Sequence, residues 1–191
     1  NNHQGYLKDY KWEYNLVEDE SVNAWCMPGG KIVFYTGILP VAKNEAGIAA
    51  IMGHEVAHAL ANHGQQRMSA GMIQQGVGAG VAIATKDKTK SEQDLWMQAF
   101  AVGSSVGGML PFSRSHETEA DEIGLYLTVI AGYNPDEASL LWERMKANSE
   151  GKSPPEFLST HPSNDSRISN LRALAGKAKE EARKFGVTTF R

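Results

Sequence analysis

Apolar residues change their spacing several times along this 191-residue chain, and each change marks an element. Lys31-Ile-Val-Phe-Tyr-Thr36 is an unbroken β-branched and aromatic run introduced by Pro28-Gly29-Gly30, which predicts a strand after a tight turn. From Gly47 to Leu60 the chain is small and apolar (GIAAIMGHEVAHAL), a helix whose start falls near Asn44 as N-cap, with Glu45 in the first turn. Gly53 within it leaves room for a second element to approach. Residues 69–111 hold two glycine-rich apolar stretches around the polar run Thr85–Asp94. They predict a hairpin of two small-residue helices, either ordinary packing or a lid or membrane-facing element. Ala120, Ile123, Gly124 and Leu127 give the next helix a buried side, and it ends near Gly132. Asn134-Pro135 opens a further helix that carries Leu140, Leu141, Trp142 and Met145 inward. A loop over 149–165 then leads to a last helix over 163–185 with Ile168, Leu171 and Leu174 on its apolar face.

Composition narrows the class. A hydrophobic content of 41% over 191 residues suffices for one domain with a real core, spanning 1–191, with 69–111 as an insertion. The net charge of -3 is too small for nucleic-acid binding or strong membrane attraction, and the basic residues are scattered. Cys26 is the single cysteine, so no intramolecular disulfide forms. No stretch approaches the ~20 apolar residues of a membrane span. The polar start Asn1-Asn2-His3-Gln4 is unlike a signal peptide and is compatible with a trimmed chain.

The chemistry begins at His54-Glu55-Val56-Ala57-His58, an HExxH pattern. Residues four apart share a helix face, so both imidazoles reach one metal ion. Glu55 lies beside that ion as a base for water, the local arrangement of a zinc metallopeptidase. A third His ten residues after His54 is excluded, because Gly64 stands there. His63 is one residue out of register and reads as a surface or helix-end histidine. Downstream, Glu117 and Asp121 are again four apart. One of the two carboxylates can bind the metal while the other accepts the free ring N–H of a ligating His. Glu119 and Glu122 point elsewhere on that helix.

HEVAH followed about sixty residues later by ETEAD resembles the zinc metallopeptidase family of the HtpX heat-shock protease and the CAAX prenyl proteases, a gluzincin pattern of HExxH plus ExxxD. Asn23-Ala24-Trp25, Pro28–Ile32, Thr36–Leu39 and Thr160-His161-Pro162-Ser163 extend the likeness across residues 20 to 172. The resemblance implies His54, His58 and Glu117 as ligands of one Zn²⁺ ion, Glu55 as general base and Asp121 as the partner of a ligating His. It places His161 at the site, as oxyanion stabiliser or as a fourth ligand that holds the enzyme latent, with Arg167 adding positive charge. The implied fold is α+β, mostly helical, a zincin-like core with a small sheet whose edge strand lines the cleft. Lys31–Thr36 is a candidate for that strand, with Asn23–Cys26 on the rim. The implied substrate is a protein or peptide in extended conformation. The soluble periplasmic bacterial members are the expected nearest relatives, which implies the bacterial envelope, protein quality control there, and a peripheral membrane or outer-membrane-protein association. The alternative is a latent or chaperone-like binding module with an inhibited zinc site. Oligomeric state is not legible.

Overall fold

The computed structural model describes residues 9–149, 155–162 and 165–191. The loop expected over 149–165 and the first two residues expected in the last helix fall largely outside them. The chain forms two compact units, one of residues up to Ala61 together with Thr118–Arg191, the other Asn62–Glu117.

Among its described residues the first unit holds three strands, β1 (Glu13–Val17), β2 (Ala24–Met27) and β3 (Lys31–Tyr35), in the order β1-β3-β2. β2 and β3 are antiparallel, with Ala24 opposite Phe34 and Met27 opposite Lys31. The tight turn between them uses Gly29 and Gly30 at φ of 91° and 95°, where a Cβ is strained. β1 returns parallel to β3 on its other side, Glu13 opposite Lys31. The Lys31–Thr36 strand is therefore central rather than an edge, since partners occupy both its sides. The strand at the edge that touches the metal-motif helix is β2. Strand runs carry no local mark of their neighbours, so the pattern gave the strand and not its rank.

A short helix α1 (Leu39–Ala42) leads into α2 (Glu45–Leu60). Asn44 caps α2, its side chain accepting from the Gly47 N–H at 2.8 Å. Ala46, Ala50, Ile51, Gly53, His54, Ala57 and His58 are all buried, so α2 runs through the interior with hardly a polar face. α6 (Asp136–Ser149) packs beside it, α7 (Glu156–Thr160) follows, and α8 (Asp165–Arg183) packs against α6. Ile32, Phe34, Ile38, Ile51, Leu125, Val129, Trp142, Met145, Phe157 and Leu171 form one continuous core. Leu140 is 40% exposed, against the inward placement its spacing suggested. Leu141, Trp142 and Met145 already fill the α6 stripe.

The second unit begins with α3 (His63–Ala84), followed by α4 (Lys90–Ser104). The turn is shorter than the polar run that marks it, because Thr89 and Glu92 form a capping box and start α4 inside that run. α4 passes through a π-helical turn, Ser105–Met109, into α5 (Leu110–Ile130), which crosses into the first unit at Thr118. No described helix is long and apolar enough to cross a membrane. His63 is at a helix start, as its position implied, yet only 1% exposed, stacked on the His116 ring at 4.1 Å.

Candidate metal centre

Two glycines set the position of the site. Within the first unit α2 and α5 cross at Gly53 and Gly124, where a Cβ on Gly53 would lie 2.6 Å from the Gly124 carbonyl oxygen. A Cβ on Gly124 would meet the His54 backbone nitrogen at 2.7 Å. Only glycine permits this approach, and it brings Asp121, one turn before Gly124, against the His54 ring.

His54 Nδ1 lies 3.0 Å from Asp121 Oδ1, with both side chains buried. A carboxylate accepts, so Nδ1 carries the proton and Nε2 presents its lone pair. That Nε2 is 3.1 Å from His58 Nε2 and 3.3 Å from His161 Nδ1. Glu117, at the last position of the second unit on the continuous α5, supplies a carboxylate oxygen. The donor atoms of His54, His58, Glu117 and His161 all fall within 4.8 Å of one another, and all four residues are buried. This donor set fits zinc. Bonds of about 2.0–2.1 Å in a tetrahedron put neighbouring nitrogens about 3.3 Å apart, close to the separations observed.

Glu55 is buried between the two histidines of its helix, and His161 Nε2 lies 3.4 Å from Glu55 Oε1. His161 thus faces His54 through one ring nitrogen and Glu55 through the other. Phe157 packs on the His161 ring at 4.7 Å, and Trp142 on Phe157 at 5.6 Å.

Arg167 sits elsewhere than a free cation at the reacting centre would. It is 3% exposed, and its Nε and Nη2 donate to Asp121 Oδ2 and Oδ1 at 2.6 and 2.7 Å. Nη1 donates to the Pro162 carbonyl at 2.9 Å, and the guanidinium lies 4.0 Å over the Trp142 ring. The oxyanion role considered for it gives way to one behind His54, because a desolvated guanidinium stays where its carboxylate is. Burial pushes the Asp121 carboxyl up, but hydrogen bonds from Arg167 and His54, together with their charges, outweigh it and hold it below the usual carboxylate range.

Trp142, expected only as a core residue of its helix, packs edge-on against the His54 ring at 5.5 Å, and Cys26 lies on the expected rim segment. Cys26 alternates with the buried Ala24 on β2, the signal that it faces inward. β2 packs against α2, and burial there, and then the charge of Glu55, push the Cys26 thiol up to about 12. Glu119 and Glu122 are exposed, as their positions on α5 implied.

Residues 3–175 match the model of peptidase family M48. The chain is 40% identical over 167 residues to the mitochondrial metalloendopeptidase OMA1 of Schizosaccharomyces pombe, covering 86% of this chain and 47% of that protein. It is 36% identical over 181 residues to the Saccharomyces cerevisiae protein of the same name, covering 91% of this chain and 50% of that one. The beta-barrel assembly-enhancing protease of Escherichia coli is 26% identical over 175 residues, 87% of this chain and 35% of that protein. The chain spans half or less of the length of these relatives. The expected periplasmic placement is overturned, since mitochondrial proteins match this chain at higher identity than the bacterial protease does. HExxH and ExxxD are shared too widely to carry a compartment. With a matched family model over most of its length and a buried three-imidazole and carboxylate donor set beside a glutamate, the chain belongs to peptidase family M48, whose enzymatic class is zinc metalloendopeptidase.

Proposed function

We propose that the chain hydrolyses internal peptide bonds of protein substrates, with one Zn²⁺ ion held by His54, His58 and Glu117. The observation that carries this reading is the convergence of these donors on one point beside Glu55. A bound zinc ion supplies Lewis-acid polarisation of the scissile carbonyl and makes water a stronger acid. Glu55 takes the proton from the attacking water as the new C–O bond forms. It then delivers that proton to the leaving nitrogen as the C–N bond breaks. Asp121 holds His54 in the Nδ1–H tautomer throughout.

His161 is placed for two tasks. It would hold a bound zinc ion as a fourth ligand and close the site. Swung away, it opens that position and brings an N–H toward the developing oxyanion. The nearness of His161 to the other donors supports a latent enzyme opened by movement of His161. Among the described residues β2 lies at an edge of the three-stranded order, and its backbone offers an extended substrate the contacts of an added strand.

In the second unit, Met72, Ile73, Val77, Leu95, Trp96 and Val102 are exposed on α3 and α4, and α4 buries no residue. We read this hairpin as a surface for peripheral membrane association. Flotation with neutral vesicles tests it: Trp96→Ser with Ile73→Ser should abolish co-flotation, and unchanged flotation would refute it.

The enzymatic reading is tested by casein hydrolysis and zinc content of the wild type and His161→Ala. Stoichiometric zinc with hydrolysis supports a working peptidase. Activity that appears only in His161→Ala shows a latent one. Zinc with no hydrolysis in either gives the lead to a binding module.

A further inference from the structure

α8 begins with an anomaly. Its third residue, Arg167, is a cation in the first turn, where the helix dipole disfavours positive charge, and it is buried. A local rule broken at this cost marks a residue held by something else. Among the described residues, Asp121, Trp142 and Pro162 hold it. Asp121 takes two of its N–H groups in a fork, the Trp142 face lies beneath the guanidinium, and the Pro162 carbonyl takes a third N–H. Asp121 in turn binds His54 Nδ1, while Pro162 immediately follows His161. One side chain therefore joins the residue behind one imidazole to the backbone that carries another.

We propose that Arg167 is a positioning residue that tethers the His161 segment to the Asp121–His54 pair, so that the seating of His161 depends on a side chain anchored behind His54. The geometry gives the tether unequal ends. The Asp121 end is a buried, bidentate, charge-assisted pair, and the contact to Pro162 is a hydrogen bond to a neutral carbonyl, the weaker kind of bond. When His161 leaves the site the Pro162 end gives way first, and His54 stays oriented. The Trp142 ring reinforces this arrangement by touching both sides. It lies under Arg167, 5.5 Å edge-on from the His54 ring, and against Phe157, which packs on His161. Lysine cannot substitute, because a single ammonium does not span a carboxylate fork and a carbonyl at once.

The inference rests on the metal-site reading for its consequence but not for its geometry, and the experiment separates the two. The full chain is labelled with ¹³C-histidine and prepared metal-free as wild type, Arg167→Gln and Arg167→Lys. Nuclear Overhauser contacts among His54, His58 and His161 are recorded, and zinc affinity is measured by chelator competition. In the wild type His161 should show contacts to both other rings, which lie 5.0 and 4.9 Å away. In Arg167→Gln the His161 contacts should vanish while the His54–His58 contact, 4.7 Å in the structure, remains and reports an intact fold. Zinc affinity should fall about 10–100-fold, the usual effect of loosening a ligand's partner. Arg167→Lys, which keeps the charge, should behave like Arg167→Gln. It also carries the test should the glutamine variant unfold. Retained His161 contacts in either folded variant, or rescue by lysine, would overturn the tether. Lost contacts in a protein whose wild type binds no zinc would leave the tether standing and remove the metal-site reading instead.

Discussion

Replacing Gly124 with Ala tests whether the crossing of α2 and α5 builds the site. The added Cβ would stand 2.7 Å from the His54 nitrogen and 2.8 Å from the Gly53 carbonyl carbon, whereas ordinary contact begins at 3.4 Å. These obstacles are backbone and do not rotate away, so the helices must part by about 0.7 Å at that point. Overpacking of this kind costs about 1–3 kcal/mol, and the better helix propensity of Ala returns about 1 kcal/mol. A net loss of about 0–2 kcal/mol follows. Gly176→Ala in α8 is the control, because its Cβ meets nothing within 4 Å, and it should gain up to about 1 kcal/mol. Urea unfolding of both variants gives the difference, expected at about 1–3 kcal/mol. The same displacement carries the 3.0 Å His54–Asp121 contact towards about 3.7 Å, beyond hydrogen bonding. Zinc affinity should therefore fall about 10–100-fold in Gly124→Ala and stay unchanged in Gly176→Ala. If Gly124→Ala matches the control in both stability and zinc affinity, the close crossing does not position His54.

Asp121→Asn removes the charge opposite Arg167 and should destabilise the fold by about 3–5 kcal/mol, because a buried cation loses its partner; thermal unfolding of the metal-free chain measures it. The Asp121 carboxyl lies below its ordinary value in the folded state. Its stabilising effect is thus complete above the unfolded value of 3.8 and is lost as pH falls through the lower folded value. Cys26, raised from 9.0 to about 12, should be alkylated by iodoacetamide at pH 8 about 1000-fold more slowly than in urea-unfolded chain, followed by mass spectrometry. In linkage terms that thiol favours the folded state fully below pH 9 and loses this contribution as pH rises towards 12. Asn44→Ala removes the α2 cap and should cost about 1 kcal/mol by urea unfolding, with hydrolysis otherwise retained.

How much of this was legible in the sequence depended on whether the information was local. The i,i+4 spacing of His54 with His58, and of Glu117 with Asp121, is a property of one helix turn, and the structure brings all four side chains to one place. Asn44 and Gly53 were readable for the same reason, one from capping chemistry and the other from its missing Cβ. Long-range pairing was not. Arg167 is 46 residues from Asp121, and nothing near either residue states that the guanidinium is buried against that carboxylate. His63 reads as a surface residue until the His116 ring covers it. β3 has the composition of a strand, but its central rank comes from β1 returning parallel across the β2–β3 hairpin. Cys26 gave a period-two hint of its inward direction, while its nearness to Glu55 required the fold.

The central claim is that Glu55 is the proton-transferring base beside a zinc ion held by His54, His58 and Glu117. Zinc content and hydrolysis of an unfolded protein substrate, measured together on wild type and Glu55→Gln, test it most directly. His161→Ala serves as the background if the wild type is latent. Equal stoichiometric zinc in both proteins, with turnover reduced at least about a hundredfold in Glu55→Gln, is the predicted result. Turnover within tenfold of the parent, with zinc bound, would contradict it.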